Sequence, residues 1–222
     1  MKSKGELTTQ QIVIMVVLIA SFSILLIFLL RFNFKESTAE QLCRNSVILA
    51  SKSVGSVSLE CHTKYLCLSS GDVCESLKSA EVMKVNSDQE RVDQISNLLV
   101  SCWNMYGKGE YDFISGSWIP GQAKSCGICS EFVLNDISSN DLRTGLSAHL
   151  QEAKVPGISA TYFQYLKIDD ANIPSRLEQK KIYAILFTAS KGFKGTAPTF
   201  SLQFIPTDEL PRAGCNDFFS LA

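Results

Sequence analysis

The stretch Ile12–Leu30, IVIMVVLIASFSILLIFLL, runs for nineteen residues without a charge, a proline or a glycine. Its polar members are Ser21 and Ser23, whose hydroxyls can bond to backbone carbonyls one turn earlier. A helix of this length is about 28 Å long, close to the hydrocarbon thickness of a bilayer. A helix of a soluble domain has a polar face, and this stretch has none. The sequence therefore predicts one N-terminal transmembrane helix over residues 12–30.

A cleaved secretory signal is the alternative interpretation, because Lys2 and Lys4 form a basic tail. Such a signal has an apolar stretch of about 7–15 residues, followed by small residues at the cleavage site. Here the apolar stretch is longer, and residues 31–35, RFNFK, are bulky and charged. We therefore expect the helix to be retained, with Phe32 and Phe34 as anchors at the membrane interface.

All eight cysteines of the chain follow this stretch: Cys43, Cys61, Cys67, Cys74, Cys102, Cys126, Cys129 and Cys215. An even number of cysteines on one side of a membrane is typical of disulfides in an oxidising compartment. The basic residues on the two flanks are balanced, so the cysteines decide the predicted orientation. The prediction is a cytoplasmic tail over 1–11, a juxtamembrane linker over 31–42, and an extracytoplasmic domain over 43–222 of a single-pass cell-membrane protein.

Charge and composition exclude several classes of partner. The net charge is −1 and the basic residues are scattered, so the basic surface that nucleic-acid binding requires is not expected. A structural zinc site needs four ligands, and only one C-x-x-C pair and two histidines are present. Gly107-Lys108-Gly109 lacks the spacing of a phosphate-binding loop and indicates a helix stop. We predict no cofactor and no metal; the expected partners are the lipid bilayer through 12–30, and a protein partner or other copies of the chain.

Patterning over the remaining chain predicts an α+β domain stabilised by disulfides, with several antiparallel strands and two or three helices. Residues 87–106 open with Ser87 and Glu90 at capping-box spacing and carry an apolar stripe, which predicts a helix. Strands are expected over 57–68, Lys124–Leu134 and Ile182–Phe187, and a further strand at Phe200–Phe204 is expected to pair with the last of these across Gly192–Gly195. Weaker helical patterns cover Asp141–Glu152 and Thr161–Lys167.

The strand predicted over 57–68 constrains two cysteines. Cys61 and Cys67 would be about 20 Å apart in extended chain, too far to bond to each other. A two-residue turn at Ser70-Gly71 would place Cys67 directly across from Cys74, which is the best single disulfide prediction. Cys43–Cys61 follows only by elimination, and Cys126 and Cys129 could bond to each other or to other cysteines such as Cys102 and Cys215.

Cys126-Gly127-Ile128-Cys129 resembles the CGPC-type site of the thioredoxin family, and Thr196–Phe200 is similar to that family's proline segment beside the active site. The resemblance implies thiol–disulfide exchange, with Cys126 and Cys129 as the only candidate catalytic residues. Two departures are that no proline separates the cysteines and that the following residues, SEFVL, are patterned as a strand. Structural bridges to other cysteines are the alternative.

Two further resemblances concern the N-terminus and the source. Lys2–Glu6 followed by the apolar helix resembles the class III leaders of type IV pilins and archaellins, which implies cleavage after Gly5 and a helix that forms a filament core. Gln10 stands where bacterial pilins have glutamate. The segments CRNSV from Cys43, CWNMYG from Cys102 and CGIC from Cys126 resemble uncharacterised archaeal single-pass membrane proteins.

Three functions remain open from the sequence. The first is a membrane-anchored extracytoplasmic structural or interaction domain. The second is a pilin-like filament subunit, and the third is an extracytoplasmic thiol–disulfide oxidoreductase. Enzymatic activity stays undecided at this point, because no other catalytic motif is present.

Overall fold

The computed structural model describes residues 9–31, 34–53, 58–74, 76–77, 79–114, 124–135, 141–168, 170–190, 197–215 and 217–218. Contacts divide the chain into two units, residues 1–38 and residues 39–222. The Lys2–Glu6 leader segment, the Gly192–Gly195 turn and the side chains of residues 31–35 lie outside the described residues, so the predictions made for them stay predictions.

Helix α1, Thr9–Arg31, forms most of the first unit. Its large apolar side chains between Ile12 and Ile24 are 50–69% exposed. The two serines behave as expected: Ser21 Oγ donates to the carbonyl of Val17 at 3.0 Å, and Ser23 Oγ donates to that of Ile19 at 2.8 Å.

The transmembrane prediction for residues 12–30 is wrong. Within the described part of the chain, no helix combines the length and the apolar character that are needed to cross a membrane. The apolar stretch is thus corrected to a helix with outward-facing apolar side chains.

Helix α2, Phe34–Lys52, covers most of the region predicted as a linker. It enters the second unit, where Cys43 and Val47 are fully buried. Glu40 of this helix accepts from Lys64 Nζ at 2.8 Å and also from the hydroxyl of Ser101. Buried apolar contacts and this ion pair therefore tie the second half of α2 to the domain.

A mixed sheet organises the second unit. Its strands are β1 Lys64–Ser69, β2 Glu81–Lys84, β3 Lys124–Leu134, β4 Ile182–Ser190, β5 Thr199–Pro206 and the short β6 Asp217–Phe218. The order is β2-β1-β3-β4-β5, and β6 pairs with the first part of β3. The β3–β4 and β4–β5 pairs are antiparallel, whereas the β1–β2, β1–β3 and β3–β6 pairs are parallel. The α+β class is confirmed, and β3, β4 and β5 are antiparallel as predicted, whereas the parallel pairing of β1, β2 and β6 was not predicted.

Strand β1 differs from its prediction. It begins at Lys64, and Leu66, Cys67, Leu68 and Ser69 are all buried, so both faces of this interior strand are covered. The half-buried alternation predicted over 57–68 therefore does not hold. The partners of β1 come from distant residues, so no hairpin forms across Ser70-Gly71.

One face of the sheet, which we call the helix face, packs against α3 Asp88–Met105, and α4 Leu142–Glu152 packs in turn against α3. Helix α3 begins where the capping pattern predicts: Ser87 Oγ accepts from Glu90 N at 3.2 Å. Helix α5, Tyr162–Leu166, starts with a complete capping box at Thr161. Sheet residues of the helix face in the main hydrophobic core are Leu66, Leu68, Cys129, Phe132, Leu134, Tyr183, Ile185, Phe187, Ala189, Leu202 and Phe204.

The opposite face of the sheet, which we call the second face, carries the alternate residues of the same strands. Val133, Ala184 and Leu186 are fully buried there, although they lie outside the main core. The segment that follows β5 is hydrogen-bonded to the start of β3, where Lys124 Nζ donates to the carbonyl of Ala213 at 2.6 Å. Short segments with 3₁₀ turns at 170–172 and 207–212, rather than long helices, flank β5.

Candidate functional site

All eight cysteines form disulfides, which join Cys43–Cys61, Cys67–Cys74, Cys102–Cys129 and Cys126–Cys215. The first two bridges are the pairings that the sequence analysis named. The route to Cys67–Cys74 differs from the expected one, because Cys74 lies in the loop after β1 and not in a facing strand. The bridges connect α2, α3 and the C-terminal segment to the sheet and its immediate loops.

The C-x-x-C cysteines point to opposite faces of β3. Cys126 pairs in register with Thr188 and bonds to Cys215, whereas Cys129 lies at an irregularity between Ile128 and Ser130 and bonds to Cys102 of α3. In a strand, residues three apart face opposite sides of the sheet. The two sulfurs therefore do not form the shared disulfide that thiol–disulfide exchange requires. The strand predicted over residues 124–134 already implied that Cys126 and Cys129 face opposite sides of the sheet.

The candidate binding site is a cleft of about 550 Å³ beside the C-terminal half of β5. Phe204, Ile205 and Pro206 form one wall, and residues 170–178 form the other. A smaller adjoining cleft of about 220 Å³ shares Ala171, Ile205 and Glu209 with it. Apolar residues of β5 and of the 170–178 segment thus form only part of the groove, and charged side chains form much of the rest.

Asp170 fixes one end of the groove. Its carboxylate accepts from Arg143 Nη2 at 2.6 Å and from Ser147 Oγ at 2.6 Å, and both donors belong to α4. These bonds lower the pKa of Asp170, with the Ser147 bond as the largest cause and the Arg143 bond next. Because the carboxylate is ionised and already bonded, Asp170 is suited to hold α4 to the 3₁₀ turn and not to accept a proton in catalysis. Its sequence neighbour Asp169 lies outside the described residues.

Tyr183 holds the wall formed by residues 176–178. Its hydroxyl accepts from the backbone N–H of Glu178 at 2.6 Å and lies 3.4 Å from the carbonyl of Arg176. Burial raises the pKa of Tyr183, and the carboxylates of Glu178, Asp208 and Glu209 add to this rise. The hydroxyl therefore stays protonated and can keep both bonds, so the wall is held in place by the core of the domain.

Four charged residues of the groove, Arg176, Glu178, Glu209 and Arg212, make no ion pair with any other residue that the structure describes. Lys181 differs, since its Nζ lies 3.5 Å from Asp208 Oδ2. The groove therefore offers a rim with both signs of charge that is not neutralised internally. Sequence reasoning missed this site, because its walls come from four separate segments of the chain.

A second polar cluster surrounds His149 of α4. Its Nε2 lies 3.6 Å from Asp93 Oδ1, and its Nδ1 lies 3.3 Å from Gln89 Nε2. The neighbouring Tyr162 has a raised pKa, first because of burial and then because of the Asp93 charge. The cluster joins α3 to α4 and α5, and a structural role accounts for it. His62, the other histidine, is exposed.

Metal-binding geometry is absent from the described ranges, where no three His, Cys, Asp or Glu side chains are placed to hold an ion. Comparison with known proteins gives no assignment: no family model matches the chain, and neither do any curated protein or any solved structure. The archaeal and pilin-like resemblances of the sequence stay predictions. Any function must therefore be argued from the disulfides, the groove and α1.

Proposed function

We propose that the protein is an extracytoplasmic structural or interaction protein. The observation that carries this proposal is the use of all eight cysteines in four disulfides. Glutathione and thioredoxin keep cytosolic thiols reduced, whereas disulfides form and persist in secreted and extracytoplasmic proteins.

The placement of the bridges supports a structural role. Cys43, Cys61, Cys102 and Cys129 belong to the main hydrophobic core, and Cys67 and Cys126 are fully buried. Disulfides that serve redox catalysis are accessible to a substrate thiolate, because exchange needs attack on one sulfur. The bridges do not favour the oxidoreductase alternative, since Cys126 and Cys129 bond to different partners.

Disulfide mapping in native cells tests the proposal. Cells are lysed in the presence of an alkylating reagent, and the purified full chain is digested and analysed by mass spectrometry without reduction. We expect the four bridged peptide pairs and no alkylated cysteine. A chain recovered with eight alkylated thiols would place the protein in a reducing compartment and would overturn the proposal.

A pilin-like filament subunit is a second candidate, and the exposed surface of α1 favours it. Every side chain from residue 11 to residue 24 is exposed, and this surface is apolar on all sides of the helix. Such a surface needs a cover, and packing α1 helices of several copies together would provide one. In the resembling leaders cleavage would follow Gly5, which lies outside the described residues.

Intact mass separates the two candidates. The full-length mass, Met1 to Ala222, is expected for an unprocessed interaction protein, whereas loss of residues 1–5 is expected for a processed filament subunit. A Gly5→Val variant serves as the control, because it should retain the leader if cleavage follows Gly5. An unprocessed chain in native cells would contradict the filament candidate.

A further inference from the structure

The four disulfides differ in how their cysteines are ordered along the chain. Cys43–Cys61 and Cys67–Cys74 each join two cysteines that follow one another in the sequence. Cys102–Cys129 and Cys126–Cys215 cross instead, because Cys126 lies inside the first loop and Cys129 lies inside the second. Pairing of the last four cysteines in the order of their synthesis would therefore give two non-native bridges, Cys102–Cys126 and Cys129–Cys215.

The unfolded chain does not discriminate between the two nearby partners of Cys102. Cys129 lies 27 residues after Cys102, and Cys126 stands three residues nearer. Because the probability of closing a flexible loop falls roughly as the −3/2 power of its length, Cys126 meets Cys102 about 1.2 times as often as Cys129 does. By the same rule, Cys126 meets Cys215, 89 residues away, about seven times less often than it meets Cys102. Oxidation before folding thus favours the wrong partner for Cys126.

The folded sheet separates the two competing cysteines. Cys126 lies on the second face, whereas Cys129 lies on the helix face, where it bonds to Cys102 of α3. A Cys102–Cys126 bond would have to pass through β3, which is paired with β4 in this register. Strand β4 follows all three cysteines in the sequence. The correct partner of Cys102 is therefore defined only after the competing thiols are already present.

We infer that the bridges of the last four cysteines reach their native pairing by isomerisation, and that the chain is a substrate of a thiol–disulfide isomerase. The reaction class that completes the domain is disulfide exchange and not oxidation alone. The inference rests on the same four disulfides as the proposed function, and it adds the class of enzyme that acts on them.

The exchange balances without an oxidant or a reductant. In a chain with Cys102–Cys126 and Cys129–Cys215, a thiolate of the isomerase attacks Cys215 Sγ, forms a mixed disulfide and releases the Cys129 thiolate. Cys129 Sγ then attacks Cys102 Sγ, which forms the native bond and releases the Cys126 thiolate. Cys126 Sγ attacks Cys215 Sγ, closes the second native bridge and returns the isomerase thiolate. Each step breaks one S–S bond and forms one.

Burial protects the Cys102–Cys129 bridge once it is closed. Cys102 is fully buried in the folded domain, and Cys129 is 3% exposed. Exchange needs a thiolate to reach one of the two bonded sulfurs. An open, misbridged chain meets this condition and the native bridge does not, so the isomerase acts on the wrong pairing and leaves the right one.

Oxidative refolding of the full chain in detergent tests the inference. The reduced, unfolded chain is diluted out of guanidinium and oxidised slowly by dissolved oxygen, which leaves it time to fold first. Reduced protein disulfide isomerase is then added, and an isomerase whose active-site cysteines are replaced by alanine is the control. Tandem mass spectrometry without reduction assigns the partner of Cys102, since Cys126 and Cys129 share the tryptic peptide 125–143.

Before the isomerase is added, we expect Cys102 to be bonded to Cys126 at least as often as to Cys129. The active isomerase should then raise the fraction of chains with Cys102–Cys129 at least twofold, whereas the inactive one should leave it unchanged. A smaller rise would overturn the inference, whether the native bridges formed directly or the misbridged chain resisted exchange.

A Cys126→Ala, Cys215→Ala chain provides the matched control, because it keeps the Cys102–Cys129 pair and loses the crossing. The isomerase should raise the Cys102–Cys129 fraction of this variant by less than twofold. The measurement records covalent pairing, so it holds even where the variant does not fold. A rise as large as that of the wild type would mean that the crossing is not the cause, and the inference would be wrong.

The refolding test and disulfide mapping in native cells have independent outcomes. If the native bridges are found in cells but also form directly in dissolved oxygen, the isomerase inference is wrong and the extracytoplasmic proposal stands. If the thiols are alkylated in cells while refolding depends on the isomerase, the requirement for exchange stands and the proposed compartment is wrong.

Discussion

The two faces of the sheet are covered by different kinds of structure. On the helix face, the long helices α3 and α4 and an aromatic cluster around Phe187 form a continuous apolar core. On the second face, short segments and two covalent bridges, Cys67–Cys74 and Cys126–Cys215, reach buried cysteines that lie outside that core. The difference teaches that the helix face combines a packed apolar core with the Cys43–Cys61 and Cys102–Cys129 bridges inside it, whereas the second face has short covering segments and depends more on cross-links that constrain the unfolded chain.

The largest expected effect comes from removing the Cys126–Cys215 bridge. This bridge closes 89 residues, whereas Cys67–Cys74 closes 7. Loop-closure entropy predicts a loss of about 4–5 kcal/mol for the paired Cys126→Ser, Cys215→Ser variant. The same estimate predicts about 2–3 kcal/mol for Cys67→Ser, Cys74→Ser. Guanidinium unfolding of the full chain in detergent, without reductant, measures both losses. Equal losses of unfolding free energy in the two variants would mean that loop-closure entropy does not determine how much each bridge stabilises the second face.

The second prediction concerns packing on the helix face. Phe187 is fully buried, and its ring centroid lies 4.4 Å from that of Tyr106 and 5.8 Å from that of Trp103. Phe187→Ala leaves a cavity among rigid rings, and we expect a loss of about 3–5 kcal/mol.

The control for Phe187 is Val73→Ala, since Val73 is 69% exposed in the loop that the Cys67–Cys74 bridge closes. We expect it to lie within about 0.5 kcal/mol of the wild type. Urea unfolding followed by tryptophan fluorescence measures both variants. If Phe187→Ala lowered the free energy of unfolding no more than Val73→Ala does, aromatic packing would not be what stabilises the helix face.

The third prediction concerns the turn that ends α3. Gly107 has φ of +67°, and a Cβ there would lie 2.3 Å from Cδ2 of Tyr111. Gly157 has φ of +77°, but a Cβ there meets nothing within 4 Å. Gly157→Ala should therefore cost about 1 kcal/mol through backbone strain alone. Gly107→Ala adds a steric clash and should cost about 2–3 kcal/mol.

The difference between the free energies of unfolding of the two glycine variants measures how tightly Tyr111 packs against the turn at Gly107. Thermal unfolding by circular dichroism gives both midpoints under the same conditions. A Gly107→Ala midpoint equal to that of Gly157→Ala would show that Tyr111 moves away without cost.

Local sequence signals predicted the elements that depend on them. The strand over Lys124–Leu134 has its predicted bounds, and α3 begins one residue after its predicted cap because Ser87 and Glu90 act within one turn. The β4–β5 pair was likewise expected, from the alternation at Phe200–Phe204 and the predicted turn before it. The Cys67–Cys74 bridge was predicted correctly, but the two-residue hairpin on which that prediction was based does not form.

Elements that depend on distant partners were not predicted. Strand β2 is short, polar at both ends and parallel to β1, so its own residues show no alternating pattern. Helix α2 was predicted in part as a linker, because its sequence has few apolar residues. The burial of those residues depends on the distant contact in which Cys43 bonds to Cys61. The groove beside β5 combines residues from 143 to 209, which no local pattern connects. The register irregularity between Ile128 and Ser130 is likewise set by the pairing with β4.

The smallest expected effect concerns Glu131 on the second face. It lies on β3 beside Tyr65 and Ala184, is half-buried, and forms no ion pair within the described part of the chain. Burial raises the pKa of Glu131 above its ordinary value. The folded state therefore binds the proton more tightly than the unfolded chain does, so stability falls as the pH rises through the folded pKa and stays lower above it.

Glu131→Gln removes this dependence, because the amide carries no charge at any pH. We expect a slightly higher unfolding midpoint than that of the wild type at pH 7 and no such advantage at a pH below the ordinary pKa of glutamate. Glu60→Gln, at an exposed position, is the matched control and should change the midpoint at neither pH. A Glu131→Gln chain less stable than the wild type at pH 7 would mean that the carboxylate is stabilised on the second face. That face would then rely on electrostatics as well as on its cross-links.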